Sequence, residues 1–326
     1  MIISRTPFRM SYVGGGSDLP TFYREETGAV LSTAIDKFMY VTLHEKFDSG
    51  VRVAYSKTEE VKSSSDVEHP IVRASLEALD ISGGVEITST ADIPAKGTGL
   101  GSSSSYTVGL LAALHAFKKQ SYTPEDLASQ ACHIEIDVCR EPIGKQDQFA
   151  AAIGGLKLYE FHPDESVTVN MVNCEARFQA LLDACTLIFY TGQTRAAKSI
   201  LQKQKIETAQ PAKKRILRRM VALSYEFKDG IESRSLEHLG ELLRENWALK
   251  TQLTVGISNS GIDAMYDIGI ENGALGGKLL GAGAGGFMMF LVKPENQHKV
   301  VTALSKYRHF NFRIENTGSR IIYAGG

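Results

Sequence analysis

Apolar positions in the first half of the chain follow two periods. Ile2–Val13, Ala29–Phe47, Val51–Ser56 and Val85–Ile93 read as strands, and Pro70–Leu79, Ser103–Lys119 and Pro124–Cys139 as helices. Thr123 is a good N-cap for the last of these, with Pro124 at the first helical position. Gly154–Phe161 and Val167–Val172 read as a returning hairpin. The second half opens with a strand over Ala184–Tyr190 and continues with three helical patterns, Thr194–Thr208, Pro211–Gly230 and Leu236–Leu253. A further helix, capped by Ser258 or Ser260, ends at Gly273. The glycine-rich stretch Leu279–Gly286, a strand over Phe287–Val292, a helix over Glu295–Tyr307 and a strand over Ser319–Tyr323 complete the chain. The order is mixed rather than strictly alternating, which favours an α+β fold over a doubly wound sheet. There is no internal repeat or low-complexity tract, and Lys62-Ser63-Ser64-Ser65-Asp66 reads as a loop. A soft domain boundary near residue 180 divides the chain into 1–180 and 181–326.

Composition narrows the function classes. The chain has 326 residues, a formal net charge of −1 and 43% hydrophobic residues, enough for one large or two medium domains with real cores. Such a balance leaves no electrostatic footprint for nucleic acid. Lys213, Lys214, Arg215, Arg218 and Arg219 cluster at helical spacing and read as a solvated face. No apolar run approaches the ~20 residues that a bilayer span needs. The N-terminus enters a strand pattern without the apolar core of a signal peptide, so a cytoplasmic protein with no membrane partner is expected. Four cysteines in this length argue against a disulfide framework, and Cys132 and Cys139 read as core thiols. His133 and Glu135 beside Cys132 lack zinc-site spacing. Composition says nothing about the oligomeric state.

The candidate chemistry begins at Pro94-Ala95-Lys96-Gly97-Thr98-Gly99-Leu100-Gly101-Ser102-Ser103-Ser104-Ser105, where a strand pattern feeds a glycine-rich loop that opens into a helix. Glycines let backbone N–H groups approach an anion closely, and a helix N-terminus favours negative charge. The serines can cap that terminus or ligate a metal. A nucleotide phosphate with its magnesium suits this chemistry. The loop lacks the Gly-Lys-Ser/Thr of a Walker A sequence and the glycine spacing of a Rossmann fingerprint.

Three other segments stand out. After the first strand pattern, Gly14-Gly15-Gly16-Ser17-Asp18 makes a tight turn that can present Asp18 to a ligand or place it as a helix cap for Leu19–Glu25. Glu135 ends a helical pattern, Pro142-Ile143-Gly144 breaks it, and Asp147-Gln148 follow. Gly276-Gly277-Lys278-Leu279-Leu280-Gly281-Ala282-Gly283-Ala284-Gly285-Gly286 precedes an apolar strand, and its small residues allow close packing on a neighbouring loop.

Taken together, these segments resemble the GHMP kinases, in family order and over nearly the whole chain. Pro7 and Arg9 fall on the first family motif, which leads to a sugar-binding aspartate, here Asp18. The loop at Gly97–Ser104 resembles the second motif, with one extra residue after Pro94 and Ser104 where alanine is usual. Gly144-Lys145-Gln146-Asp147-Gln148 matches the Gly-x-x-Asp-Gln pattern of the sugar and mevalonate members, and Glu135 stands where their metal glutamate stands. The glycines at 281, 283 and 285 resemble the third motif. The turn Gly14–Pro20 departs from the galactokinase pattern and resembles the heptose phosphate kinase branch, and less closely the fucokinase domain.

The resemblance implies a two-domain α+β kinase with its active site between the domains. It implies ATP and Mg2+ as cofactors, with a small-molecule sugar or sugar phosphate as the partner. Gly97, Gly99, Gly101, Ser102, Ser103 and Ser104 would hold the nucleotide phosphates. Ser103 and Glu135 would hold magnesium, with Ser102 or Ser104 as substitutes for Ser103. Asp147 would be the catalytic base, and Arg9 would keep it ionised and stabilise developing charge. Asp18, Gly15, Gly16 and Ser17 would bind sugar, and Gly281, Gly283 and Gly285 would support the phosphate loop. The expected reaction is phosphorylation of the anomeric O1 of D-glycero-D-manno-heptose 7-phosphate. Thr191-Gly192-Gln193-Thr194-Arg195 then offers hydroxyls, a helix N-terminus and an arginine for the substrate phosphate, through Thr194 and Arg195 with help from Lys198, or is simply a capped helix start with a surface arginine. The competing readings are fucokinase, galactokinase or octose kinase activity, a sugar-sensing regulator on a kinase fold, and a lyase of the diphosphomevalonate decarboxylase type.

Overall fold

The computed structural model describes residues 1–94, 98–192 and 197–325. Strand β1 (Ile2–Val13) is buried on both faces from Thr6 onward, with the polar Thr6, Arg9 and Ser11 buried among its apolar residues. It pairs antiparallel with β2 (Gly28–Glu45), whose 18 residues are long enough to serve two neighbours on the other edge. Residues 39–45 of β2 pair with β5 (Val85–Ala91), and residues 28–33 pair with β6 (Leu156–Phe161). The short β3 (Val51–Ala54) runs parallel to β5 and antiparallel to β4 (Thr58–Val61). β7 (Val167–Met171) completes the hairpin with β6. A smaller antiparallel sheet holds β8 (Thr186–Tyr190), β9 (Ala274–Leu279), β10 (Phe287–Val292) and β11 (Arg308–Phe310), in the order β11-β8-β10-β9. The last strand, β12 (Arg320–Ala324), returns to pair with the outer edge of β1 in the large sheet.

The helices are α1 (Pro20–Tyr23), α2 (Pro70–Ala78), α3 (Ser102–Phe117), α4 (Pro124–Cys132), α5 (Gln146–Ile153), α6 (Ala176–Cys185), α7 (Ala197–Glu207), α8 (Pro211–Glu232), α9 (Leu236–Thr251), α10 (Ser260–Glu271) and α11 (Pro294–Ala303). Helix α3 is buried almost all round, which its apolar surface from Tyr106 to Leu114 demands. It reaches β1 closely because position 109 is glycine: a Cβ there would stand 2.7 Å from the Thr6 Oγ1.

The elements depart from the sequence expectation where glycine or a break obscures the period. β9 contains Gly276 and Gly277 and was expected only as a glycine stretch. A Cβ at Gly276 would lie 2.2 Å from the Gly240 carbonyl oxygen of α9, and one at Gly277 would lie 2.5 Å from the Phe290 ring. The pattern Pro124–Cys139 is one α-helix to Cys132 followed by a π-helical turn over His133–Val138. Thr123 caps α4 in a full capping box with Asp126. Asn259, rather than Ser258 or Ser260, caps α10 by accepting from the Gly261 and Ile262 N–H groups at 3.0 and 3.1 Å. Helices α5 and α6 and strands β4 and β11 were not foreseen.

Composition-level expectations fare simply. The four cysteines are free thiols, with Cys132 and Cys185 buried and Cys139 half-buried. The basic face of α8 is laced by ion pairs: Lys214 with Glu25, Arg218 with Glu26, and Arg219 with Glu226 and Glu245. No helix among the described residues is long and apolar enough to cross a membrane.

Candidate active site

Three turns and three helices converge on a cleft of about 270 Å³. The first turn follows β1. Gly14 and Gly16 take φ of +88° and +104°, which only glycine adopts freely. A Cβ at Gly14 would also sit 2.1 Å from the Ala29 carbonyl oxygen. Gly15, Gly16 and Asp18 line the cleft. Ser17 does not: it is fully buried, its hydroxyl donates to the Gly14 and Ala29 carbonyls, and it accepts from the Ala29 N–H. The expected sugar contact at Ser17 therefore gives way to a role in holding the turn. Asp18 does not cap α1. Its Oδ1 accepts from the Gly16 N–H at 2.9 Å and its Oδ2 from the Gln146 N–H at 3.4 Å. Burial first, then repulsion from Asp147, pushes its carboxyl above the usual range. Gly144 allows this approach, since a Cβ there would meet Asp18 Oδ2 at 2.0 Å.

The second turn is the glycine loop ahead of α3. Gly99 and Gly101 both have positive φ, +75° and +73°. Gly101 is the N-cap and offers no side-chain oxygen to the first turn, so the helix end faces the cleft without a side-chain cap. The loop is stitched to β1 by the Arg9 N–H donating to the Leu100 carbonyl at 3.1 Å. Ser102, Ser103 and Ser104 line the cleft, whereas Ser105 spends its hydroxyl on the Pro7 carbonyl. The third turn packs directly on this loop. A Cβ at Gly281 would lie 2.3 Å from Gly99 Cα, and one at Gly99 would lie 2.4 Å from the Leu280 carbonyl oxygen. Gly281 reaches the cleft, while Gly283 packs on the Ile257 backbone.

The carboxylates come from the π-helical turn and from α5. Glu135 is wholly buried from solvent. The Ser103 hydroxyl donates to its Oε1 and the Gln148 amide to its Oε2, both at 2.7 Å. Burial raises its carboxyl to about 7, with these hydrogen bonds opposing. Among the described residues Glu135 has no ion-pair partner. A buried carboxylate beside a hydroxyl, both hard oxygen donors, fits a divalent cation such as magnesium, which would restore the ionised form. Among the described residues no group of three or more His, Cys, Asp or Glu could hold a metal by itself. Asp147 stands in the first turn of α5. Arg9 grips it bidentately, Nε to Oδ1 at 2.6 Å and Nη2 to Oδ2 at 2.8 Å, and sends Nη1 to the Gly99 carbonyl at 2.7 Å. One guanidinium thus locks the carboxylate to the glycine loop.

Sequence reasoning missed Lys250 and Gln204, both buried and both lining the cleft. Lys250 of α9 donates to the Leu279 carbonyl at 3.1 Å and to the Gly281 carbonyl at 2.5 Å. Burial, reinforced by the charge of Arg9, lowers its ammonium to about 7, against the pull of Asp18. The signal was present in the period: Lys250 follows Leu243 by seven and Asn246 by four, so it shares the buried stripe of α9. Gly97, Thr194 and Arg195 lie outside the described residues, as does the side chain of Lys198.

Comparison with known proteins identifies the family. Residues 68–155 match the model of the GHMP kinases N-terminal domain, and residues 227–309 match that of the GHMP kinases C-terminal domain. The chain is 27% identical to the D-glycero-alpha-D-manno-heptose 7-phosphate kinase of Campylobacter jejuni, over 94% of this chain and 93% of that one. A D-glycero-D-manno-heptose 1-phosphate kinase from Bacteroides thetaiotaomicron superposes with a TM-score of 0.82 at 22% identity, covering both chains fully. Lactococcus lactis galactokinase complexed with galactose superposes with a TM-score of 0.79 at 18% identity, over 98% of this chain and 94% of that one. With two domain models matched in order and the fold shared end to end, the chain belongs to the GHMP kinases and is a phosphotransferase.

Proposed function

We propose that the protein is an ATP-dependent sugar kinase that phosphorylates the anomeric O1 of D-glycero-D-manno-heptose 7-phosphate to the 1,7-bisphosphate. One observation carries the reading: Arg9 ties Asp147 to the Gly99 carbonyl, in the same cleft as the buried Asp18. A carboxylate, an anion-binding loop and a hydroxyl acceptor then face one small space. Phosphoryl transfer is mostly positioning and charge stabilisation. In the step itself, O1 forms a bond to the γ-phosphorus, the bond from that phosphorus to the ADP oxygen breaks, and the O1 proton passes to Asp147. Arg9 fixes the direction in which the Asp147 oxygens point. Asp18, with Gly15 and Gly16, orients the sugar hydroxyls. The N-terminus of α3, with Gly97, Gly99, Gly101 and the serines at 102, 103 and 104, holds the nucleotide phosphates. Ser103 and Glu135 would hold magnesium, which supplies charge neutralisation for the phosphates when bound.

The heptose phosphate follows the Campylobacter jejuni relative and the turn Gly14–Pro20. Thr194 and Arg195 are proposed to receive the substrate's 7-phosphate. The protein is proposed to work in the cytoplasm, without nucleic-acid or membrane partners, with the cleft lying between halves 1–180 and 181–326. A coupled ADP-release screen over free sugars and sugar phosphates, including sedoheptulose-derived heptose phosphates, tests the substrate. Strong preference for the 7-phosphate over the free heptose is expected, and equal activity on L-fucose or D-galactose would overturn it. That preference should fall in Arg195→Ala.

A further inference from the structure

Two cationic side chains line the cleft among the described residues, Arg9 and Lys250. They are differently committed. Arg9 uses Nε and Nη2 on Asp147 and Nη1 on the Gly99 carbonyl. Lys250 has three ammonium protons and gives two of them to the carbonyls of Leu279 and Gly281. Among the described residues it makes no ion pair with a carboxylate. A second lysine, Lys278, is buried nearby but donates to the Ser11 carbonyl and does not line the cleft.

The position of Lys250 is as informative as its spare donor. Its anchor, Gly281, packs backbone to backbone on Gly99 of the anion-binding loop. The ammonium is therefore fixed beside the loop, in the cleft that the Ser103–Glu135 pair also lines, and it feels the charges of both Arg9 and Asp18. A buried ammonium held only by carbonyl dipoles is a costly arrangement. An anion arriving in the cleft would offset that cost, which burial and the charge of Arg9 impose on this lysine.

We propose that Lys250 contacts the phosphoryl group in flight, donating its third proton to an equatorial oxygen as charge develops. The proposal rests on the kinase reading above and adds to it a catalytic residue outside the glycine-loop and Asp-Gln segments. It makes α9 a source of catalytic charge, delivered through the third glycine turn.

The test compares Lys250→Met, Lys250→Gln and Lys250→Arg with the wild type in steady-state turnover, using ATP and the best substrate from the sugar screen. Binding of ADP alone, and of ADP with aluminium fluoride plus that substrate, is measured on the same proteins. Circular dichroism confirms folding, and Lys250→Gln keeps a donor for the carbonyls should Lys250→Met fail to fold. Loss of a charge-stabilising donor should lower kcat by about 10²–10³-fold while KM for ATP moves by less than about threefold. Affinity for the fluoroaluminate complex should fall with kcat, ADP affinity should hold, and Lys250→Arg should recover part of the loss. A lysine that merely braces Gly281 against Gly99 would do the reverse, weakening ADP and raising KM with kcat intact, and that result overturns the proposal. Unchanged kinetics in the Met and Gln variants overturns it too, while wild-type turnover leaves the kinase reading standing. Wild-type protein that phosphorylates no sugar would bring down both.

Discussion

The segment 142–147 separates two cavities whose charges are settled in opposite ways. On its far side, Glu165 in the β6–β7 turn receives Lys145, Tyr23 and Arg24, with the Tyr23 and Arg24 bonds at 2.7 and 2.6 Å. Burial would raise its carboxyl, but these three donors outweigh it and bring it down to about 2. On the cleft side, Glu135 is deeper, has neutral side-chain donors in Ser103, Ser104 and Gln148 and no ion-pair partner among the described residues, and rises to about 7. Asp18 is likewise pushed up, first by burial and then by Asp147. Where this segment enters α5, Lys145 is satisfied by the protein on the far side while Gln146 and Asp147 line the cleft. Where the fold completes its own charges it is scaffold. Where it leaves buried charges unmatched, a ligand of the opposite sign would complete them.

The strongest way to break this contrast is at Asp147. Asp147→Asn keeps the shape and a partner for Arg9 but removes the proton acceptor. Turnover should fall by about 10²–10⁴-fold with ADP binding retained, measured by coupled assay and calorimetry. Near-normal turnover in the folded variant would remove Asp147 from the chemistry and make its pair with Arg9 structural, like that of Lys145 with Glu165.

Next in size is the glycine loop. Gly101→Val places a branched side chain at φ +73°, with its Cβ 3.1 Å from Arg9 Cγ and 3.2 Å from Asp147 Oδ2. KM for ATP should rise far more than KM for the sugar. Equal movement of the two constants, or none, would mean that the loop does not cradle phosphate.

Local chemistry made much of this legible. The strand β1, the glycine loop and the capping box at Thr123 each follow from short-range pattern and turn residues, whereas the Asp147-Gln148 pair stood out only through the resemblance to the GHMP kinases. What stayed hidden depends on contacts across long sequence separations. Lys250 becomes a cleft residue only because α9 lies on β9, and β9 was masked by the glycines that permit that approach. Ser17 was read as a ligand contact along with its neighbours, yet its hydroxyl closes a turn onto Ala29, twelve residues on. The π-helical turn that carries Glu135 has the apolar spacing of an ordinary helix, so its position was visible and its geometry was not.

A third comparison sharpens the metal assignment. Ser103→Ala and Glu135→Gln should each raise the magnesium requirement for turnover, and unchanged dependence in both would place the metal elsewhere. Stability gives an independent check without turnover. The carboxyl of Glu135 titrates near 7 when folded, against about 4.3 when unfolded. The folded state therefore holds the extra proton between those values, and stability falls as pH rises through that window. Glu135→Gln removes the fall, so its melting temperature without metal should match wild type near pH 4.5 and exceed it above pH 7. A gain that shrinks as pH rises would contradict the buried, unpaired carboxylate.

The smallest effect belongs to the satisfied side. Glu165→Gln removes the charge that gathers Lys145, Tyr23 and Arg24, but the Glu165 side chain is 45% exposed, so solvent screening holds the loss to about 1 kcal/mol or less. That is a drop of about 1.5 °C or less in melting temperature for a chain of this size. Its folded carboxyl titrates below its unfolded value, so the stabilisation is present above about pH 4.5 and disappears as pH falls towards 2. Wild type and Glu165→Gln should thus differ at pH 7 and converge in acid, the mirror image of the Glu135 pair. Turnover is the decisive readout, because Lys145 keeps its bond to the Glu165 carbonyl at 2.9 Å and the loop keeps its anchor. Kinetics close to wild type would hold the far side to a scaffold role. A large fall in kcat with the fold intact would show instead that the two cavities work as one device across the loop they share.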